Sequence, residues 1–189
     1  MGTVFHIPTS ALKIGEKVFI RKPQLSDKQE FVRNIVRSQA FHYPWVINRV
    51  NQSFFTGYLL RFDNGSEGHL VCCKSSGKIL GVININDIAR GALQSGYLGF
   101  YAFVQYAGKG YMSEGLKLVI ERAFNDLGLH RLEANIQPGN MPSKNFVKRQ
   151  GFKQEGFSRR YLKIGGKWKD HERWALLRED WLNHAQDSD

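Results

Sequence analysis

One segment constrains the fold of this chain more than any other: a strand-like run connected to an amphipathic helix by two closely spaced glycines. Residues 97–104 have the pattern of a strand, Gly108 and Gly110 form the connection, and a helix is predicted from about Tyr111 to Asp126. Apolar residues recur in that helix at steps of four, three and one, which produces a single apolar stripe. Because such a stripe must be buried against another layer, we predict a protein of the α/β (α+β) class.

The flanking sequence supplies further strands and helices, with no internal repeat or linker that would divide the chain. Further strands are predicted at 16–22, 67–74, 78–87, 129–137, 152–163 and 168–178, and further helices at 26–36, 50–62 and 142–150. Alternation in the middle and hairpins at both ends predict a mixed central sheet of about seven strands flanked by about four helices. We expect residues 1–189 to form one domain.

The composition excludes several classes of protein. No apolar run is long enough to span a membrane, and the first residues lack the pattern of a secretory leader. The two cysteines, Cys72 and Cys73, are adjacent, so the sequence offers neither a disulfide framework nor zinc-ligand spacing. We therefore expect a cytoplasmic protein that has no metal and no membrane contact.

Positive charge is concentrated in one part of the chain. The net charge is +10, and residues 144–173 alone hold ten Lys or Arg against three Asp or Glu. Such a region attracts phosphates, either of a nucleic acid or of a phosphorylated cofactor, although a merely solvated basic surface is an open alternative. The window lacks the aromatic interleaving expected of a groove for single-stranded nucleic acid.

The two glycines before the strong helix indicate an anion site. The first turn of a helix has unpaired N–H groups at the positive end of the helix dipole, and glycines let successive amides converge on one anion. Two well-known phosphate loops do not fit. The dinucleotide-binding fingerprint needs a third glycine where Ser113 stands, and the Walker loop needs Ser or Thr where Gly110 stands.

The loop and a downstream polar cluster resemble another group, the GNAT superfamily of acyl-CoA-dependent N-acetyltransferases. The relevant stretches are AGKGYM at 107–112, NMPS at 140–143 and GFKQEG at 151–156. Two positions depart from the family pattern, since Ala107 replaces Gln or Arg and Met112 replaces a small residue. The segments YLGF at 97–100, LHR at 129–131 and GGKWKDH at 165–171 are similar to the ribosomal-protein-alanine acetyltransferases, the RimJ/RimL type.

The resemblance implies a GNAT fold in which two neighbouring parallel strands, here 97–104 and 129–137, splay apart. Acetyl-CoA would be the co-substrate, with its pantetheine arm along the first strand and its thioester in the gap, where a backbone N–H supports the developing negative charge. The implied cofactor-binding residues are Tyr101, Ala102, Phe103, Ala107, Gly108, Lys109, Gly110, Tyr111, Met112 and Asn140. For Asn140, a role that is limited to capping the helix stays open.

The same resemblance implies two catalytic positions. Ser143 matches the general acid that protonates the departing thiolate, and Val147 stands where many relatives have an acidic tyrosine. A plain helix-start serine is the alternative. Glu133 lines the predicted cleft and could relay a proton from the amine through water, or it could be a salt-bridged strand carboxylate.

Weaker candidates for the base are Tyr161, His171 and Glu172, and ordered water could also serve. The remaining histidines, His69 and His130 among them, are predicted to be structural.

We therefore predict transfer of an acetyl group from acetyl-CoA to a primary amine by direct attack in a ternary complex. The RimJ/RimL likeness implies that this amine is the N-terminal α-amine of a protein, with a ribosomal protein as one candidate. Tyr43, Pro44 and Trp45 lie where the family builds its acceptor groove, although ordinary core packing is an alternative. Two other functions stay open: acetylation of a small amine such as an amino acid, polyamine or amino-sugar, and a ribosome- or RNA-binding module.

Overall fold

The centre of the protein is an eight-stranded sheet, seen in a computed structural model that describes residues 5–47, 50–51, 53–63 and 65–186. The strands are β1 (Ala11–Ile14), β2 (Val18–Arg21), β3 (Glu67–Cys73), β4 (Ile79–Ala89), β5 (Ser95–Ala102), β6 (Arg131–Ile136), β7 (Lys153–Ile164) and β8 (Lys167–Leu177). Their order across the sheet is β1-β2-β3-β4-β5-β6-β8-β7. Every neighbouring pair is antiparallel except β5 and β6, which are parallel. The predicted mixed sheet is confirmed.

Helices cover both faces of this sheet. They are α1 (Lys28–His42), α2 (Phe54–Leu60), α3 (Tyr111–Glu121), α4 (Met141–Lys148) and α5 (Arg178–Gln186). A wider π-type turn, Arg122–Asp126, prolongs α3. No helix within the described ranges is long and apolar enough to cross a membrane.

Two hydrophobic cores form because strand side chains point alternately to opposite faces. On β4, Ile83 and Ile85 are buried in the core beneath α3, whereas Ile79 and Val82 are buried in the core beneath α1 and α2. The first seven residues of β4 are all buried, so this strand is covered on both faces. The layered arrangement predicted from the stripe of α3 is the one observed.

The parallel strands β5 and β6 stay paired only at their beginnings. Ser95, Gly96 and Tyr97 pair with residues 131–133, and no pair follows, although β5 continues to Ala102 and β6 to Ile136. The strands therefore diverge after Tyr97 and leave a gap between their carboxyl ends. Strands β5 and β6 are therefore the splayed parallel pair that the resemblance to the GNAT superfamily implied.

Two elements were not predicted, so the described residues contain eight strands and five α-helices instead of about seven and four. Strand β1 has four residues, none of them fully buried, so its pattern is weak. Helix α5 is mainly polar and gives little apolar periodicity. The single domain over residues 1–189 stays a prediction, and residues 1–4 and 187–189 lie outside the described part.

Candidate active site

The loop before α3 has the backbone geometry of an anion site. Gly108 and Gly110 have φ angles of +74° and +81°, in the left-handed region that glycine adopts without steric cost. Gly110 caps α3, and its carbonyl accepts the Glu114 N–H at 3.2 Å. The amides that precede Glu114 in the first turn have no carbonyl to pair with inside the helix, so they are available to a phosphate.

Close packing places this loop beside the gap. A side chain on Gly115 of α3 would come within 2.7 Å of Val71 on β3, so only glycine lets the helix approach the sheet this closely. The Glu114 carboxylate accepts N–H groups of Lys17 and Val18 at 2.8 and 3.3 Å, which ties the start of the helix to β2. Met112, one departure from the family pattern, packs over Gly81, where any larger residue would collide with its sulfur.

The end of β5 presents backbone groups to the gap. Phe103 N–H donates to the Leu80 carbonyl at 3.0 Å, so Phe103 faces β4. Backbone N–H and C=O groups alternate in direction along a strand. Those of Phe100 and Ala102 therefore point away from β4, into the gap between β5 and β6. Main-chain donors and acceptors of β5 are thus offered to whatever enters between the strands.

Helix α4 begins opposite this strand end. Asn140 is its N-cap, and the side-chain oxygen of Asn140 accepts the Ser143 N–H at 3.2 Å. Capping uses that oxygen and leaves the amide NH₂ of Asn140 as the group that can donate to a ligand. Val147, where many relatives have tyrosine, is fully buried in the core. Ser143 is therefore the hydroxyl that the start of α4 contributes.

Nine of the twelve predicted site residues line one cavity of about 660 Å³. They come from the end of β5, the glycine loop with the start of α3, and the start of α4: Tyr101, Ala102, Ala107, Gly108, Lys109, Gly110, Met112, Asn140 and Ser143. Their chain positions span more than 40 residues. The fold thus brings together three segments that sequence reasoning had connected only by resemblance.

The other three predicted residues lie outside the cavity lining. Phe103 is completely buried, and its N–H is used within the sheet. Tyr111 packs partly buried against the core beneath α3. Glu133 is buried, and its two carboxylate oxygens accept hydrogen bonds from Arg131 at 2.9 Å and Arg173 at 3.4 Å. For Glu133 the structure therefore shows the salt-bridged arrangement that was the alternative to a base.

The weaker base candidates also lie away from this lining. His171 is buried against the Tyr161 ring, with centroids 5.8 Å apart, and Glu172 pairs with Lys144 at 3.1 Å.

The far end of the cavity is formed by the end of α1 and the residues after it. Phe41, His42, Trp45 and Val46 line it. Trp45 packs against Gly139, where a Cβ atom would lie 3.0 Å from the indole ring, and its carbonyl accepts an amide hydrogen of Gln137 at 3.2 Å. Trp45 was predicted for the acceptor groove, and it lies in the same cavity as the nine predicted site residues.

Sequence reasoning missed two cavity residues of chemical interest, His42 and Arg149. His42 was grouped with structural histidines, yet it follows Phe31, Ile35 and Ser38 on the buried face of α1. A polar residue at the end of a buried helical stripe was the available signal. Arg149 follows α4 and adds to Lys109 a second cation at this site.

The basic window 144–173 carries two exposed aromatic side chains among its charges. Most of it forms the β7–β8 hairpin, where Phe157 and Trp168 are 53% and 60% exposed. Lys163 lies directly opposite Trp168 across the hairpin, so their side chains share a face. The pairing register decides such neighbours, which the linear order of residues does not show.

Fold and site together define a class of protein, the GNAT acetyltransferases. The GNAT acetyltransferase domain family matches residues 17–153, well over half of the chain, and the chain belongs to this family. It is accordingly an N-acetyltransferase that depends on acetyl-CoA. Within the described residues, no group of three or more His, Cys, Asp or Glu side chains is arranged to hold a metal ion.

Individual relatives narrow the likeness further. A probable N-acetyltransferase of Bacillus subtilis, YjcK, is 30% identical over 88% of this chain and 97% of its own length. The [ribosomal protein uS5]-alanine N-acetyltransferase of Escherichia coli is 38% identical over 55% of this chain and 54% of its own. Among solved structures, Mycobacterium smegmatis RimJ in complex with CoA-disulfide has a TM-score of 0.77 at 24% identity, covering 86% of this chain and 83% of that one.

Proposed function

We propose that this acetyltransferase modifies the N-terminal α-amine of a cytoplasmic protein, with acetyl-CoA as the donor. One observation carries the proposal: a single cavity joins the glycine loop to the aromatic side chains Phe41 and Trp45. A flat aromatic side chain beside the acceptor position suits an extended peptide, which needs apolar contact along its first residues. The likeness to an enzyme named for uS5 alanine acetylation supports the same acceptor.

The residues of the cavity fit acetyl-CoA. The amides from Gly108 to the first turn of α3 suit the pyrophosphate, while Lys109 and Arg149 add positive charge beside it. The backbone of Phe100 and Ala102 is directed towards the gap, where an extended amide chain would continue the sheet. The Asn140 amide has a free NH₂ at the other wall. When bound, acetyl-CoA supplies the acetyl group as an activated thioester.

Within this arrangement the protein has to position two reactants and move two protons. The neutral amine attacks the acetyl carbon directly, so a C–N bond forms as the C–S bond breaks. The Ala102 N–H supports the negative charge that develops on the carbonyl oxygen. We assign Ser143 as the donor of a proton to the departing sulfur, and water as the acceptor of the proton that the amine loses. Glu133 stays a candidate for the relay to that water.

A thiol-release assay tests the acceptor. A peptide with a free N-terminal alanine should release CoA thiol from acetyl-CoA, whereas the same peptide with a blocked N-terminus and an internal lysine should not. The same assay is run with three small amines: spermidine, an amino sugar and free alanine. Turnover of a small amine well above that of every N-terminal peptide would contradict the proposed acceptor and leave the acetyltransferase class intact.

Contact with nucleic acid is a second candidate function, favoured by the lysines and exposed aromatics of the β7–β8 hairpin. Binding of a single-stranded RNA oligonucleotide should then weaken steeply between 50 and 200 mM salt, by at least about tenfold for a few phosphate contacts. At a fixed salt concentration, Trp168→Ala should bind the RNA more weakly than the parent protein does, because bases stack on exposed aromatic rings. Absence of binding at low salt would remove this candidate.

A further inference from the structure

His42 occupies an unusual position at the edge of the gap. It is the last residue of α1, it is 6% exposed, and it lines the cavity. Its Nε2 lies 2.8 Å from the carbonyl oxygen of Ala102. Because a carbonyl only accepts hydrogen bonds, Nε2 must carry the hydrogen, and Nδ1 is left with a lone pair. Nδ1 is buried and has no hydrogen-bond partner among the described residues.

The Ala102 carbonyl would otherwise lack a partner of its own. Ala102 faces the gap, and β6 has already diverged after the pair formed by Tyr97 and Glu133. A strand that loses its neighbour keeps main-chain groups that still need partners, and leaving them unpaired costs free energy. His42 therefore replaces, at this one carbonyl, the strand partner that the gap removes.

We propose that His42 is a positioning residue for acetyl transfer, which holds the Ala102 backbone so that its N–H points at the thioester carbonyl. The N–H and C=O of a strand residue point to the same side, so fixing one fixes the direction of the other. A donor held in place before the reaction stabilises developing charge better than one that must reorient. His42 acts through Ala102 and needs no contact with substrate.

Charge on the imidazole would undo this arrangement. Burial lowers the pKa of His42 below its ordinary value, and the hydrogen bond to Ala102 opposes that shift only in part. The ring is therefore neutral near pH 7. Protonation would put a hydrogen on Nδ1, where nothing accepts it. We expect kcat to be at its maximum when the pH lies above this lowered pKa, and to fall as the pH drops through it.

The surroundings of His42 contain other groups that titrate or carry charge. Tyr101 on β5 contacts the imidazole, with ring centroids 5.3 Å apart, and burial raises its pKa, so it stays neutral. The other such groups at this end or lining the same cavity are Tyr43, Tyr106, Lys109 and Arg149. A variant at His42 itself separates its titration from theirs.

The test compares His42→Leu, which removes the donor, with His42→Gln, whose amide can still donate. In the leucine variant kcat should fall about tenfold or more, as expected for a misplaced oxyanion donor, while KM for acetyl-CoA should rise by no more than about fivefold. The glutamine variant should have a kcat within about threefold of the parent value, because a neutral hydrogen bond is restored. It should also lose the decline of kcat at acidic pH. His130→Leu, at a partly exposed histidine outside the cavity, should match the parent protein.

A second readout needs no acceptor, so it stays valid if the proposed N-terminal acceptor is wrong. Calorimetry with acetyl-CoA and with CoA compares ligands that differ only in the acetyl group, which contains the thioester carbonyl. His42→Leu should weaken acetyl-CoA about fivefold relative to CoA, roughly the loss of one neutral hydrogen bond. Parent-like kcat and affinity ratio in His42→Leu, or equal impairment of the leucine and glutamine variants, would overturn the proposal, even if His42→Leu also lowers the melting temperature.

Discussion

The two ends of the cavity are built from different parts of the polypeptide. At the end where we propose that acetyl-CoA binds, called the donor end, a continuous stretch from β5 through the glycine loop to α3 presents mainly backbone amides. At the end where we propose that the amine binds, called the acceptor end, side chains of Phe41, His42 and Trp45 are brought from a segment about 60 residues earlier in the chain. Backbone amides do not depend on which side chain they carry. We therefore expect the donor end to tolerate Ala107 and Met112 at positions where the family pattern has other residues.

The two ends should respond differently to substitutions. At the donor end, a change matters when it alters the backbone conformation or the local charge. At the acceptor end, a change matters when it removes a particular ring or donor. Substitutions at the two ends should accordingly separate binding of acetyl-CoA from binding of the amine and from the chemical step.

The largest effect should come from Gly110→Asp at the donor end. Its carboxylate would stand where the pyrophosphate is expected, so affinity for acetyl-CoA should fall at least about a hundredfold, as for an unpaired like charge in a binding site. Isothermal titration calorimetry measures this. Gly110→Asn is the matched control, because asparagine is similar in size and tolerates a positive φ. Equal losses in both variants would show that conformation, and not charge, governs this end.

Between the two ends, Ser143→Ala should affect the chemical step alone. Loss of a general acid typically costs about a hundredfold or more in turnover, whereas affinity for CoA should hardly change. Steady-state kinetics with acetyl-CoA and a good acceptor separates the two. Ser26→Ala, at an exposed serine far from the cavity, should behave as the parent protein. Unchanged turnover in Ser143→Ala would remove this hydroxyl as the acid.

At the acceptor end, Trp45→Ala should raise KM for a peptide acceptor about tenfold, as for loss of a buried aromatic contact. KM for acetyl-CoA should stay constant. Trp168→Ala is the matched control, since Trp168 is 60% exposed on the hairpin and does not line the cavity. If Trp168→Ala raised KM for the peptide as strongly, the acceptor surface would extend along the hairpin.

The smallest effect is expected for Glu133→Gln. Because Arg131 and Arg173 already engage both carboxylate oxygens, we expect turnover to change less than about threefold. Glu155→Gln is the control, since Glu155 pairs with the same Arg131 from an exposed strand. A loss in Glu133→Gln of about a hundredfold, absent from Glu155→Gln, would restore Glu133 as the proton relay.

Sequence reasoning succeeded where a feature is local. The stripe of α3, Gly108 and Gly110 before it, and the cap formed by Asn140 are each readable within a few residues, because helix periodicity and turn conformation depend on near neighbours. Reasoning failed at β1 and α5, whose patterns are short or polar. It also could not show that the Phe103 N–H is used by the Leu80 carbonyl, because the direction of a backbone N–H depends on which strand lies alongside.

The amino-acid sequence by itself determined the glycine turn and the helix that follows it, and these already contain the amides that a phosphate needs. Tertiary structure decided the rest. It brought His42 to the Ala102 carbonyl at the gap that β6 leaves, placed Arg173 of β8 on Glu133 of β6, and set Lys163 opposite Trp168. Each of these contacts depends on sheet register or on the divergence of two strands. Register and divergence cannot be read from the order of residues along the chain.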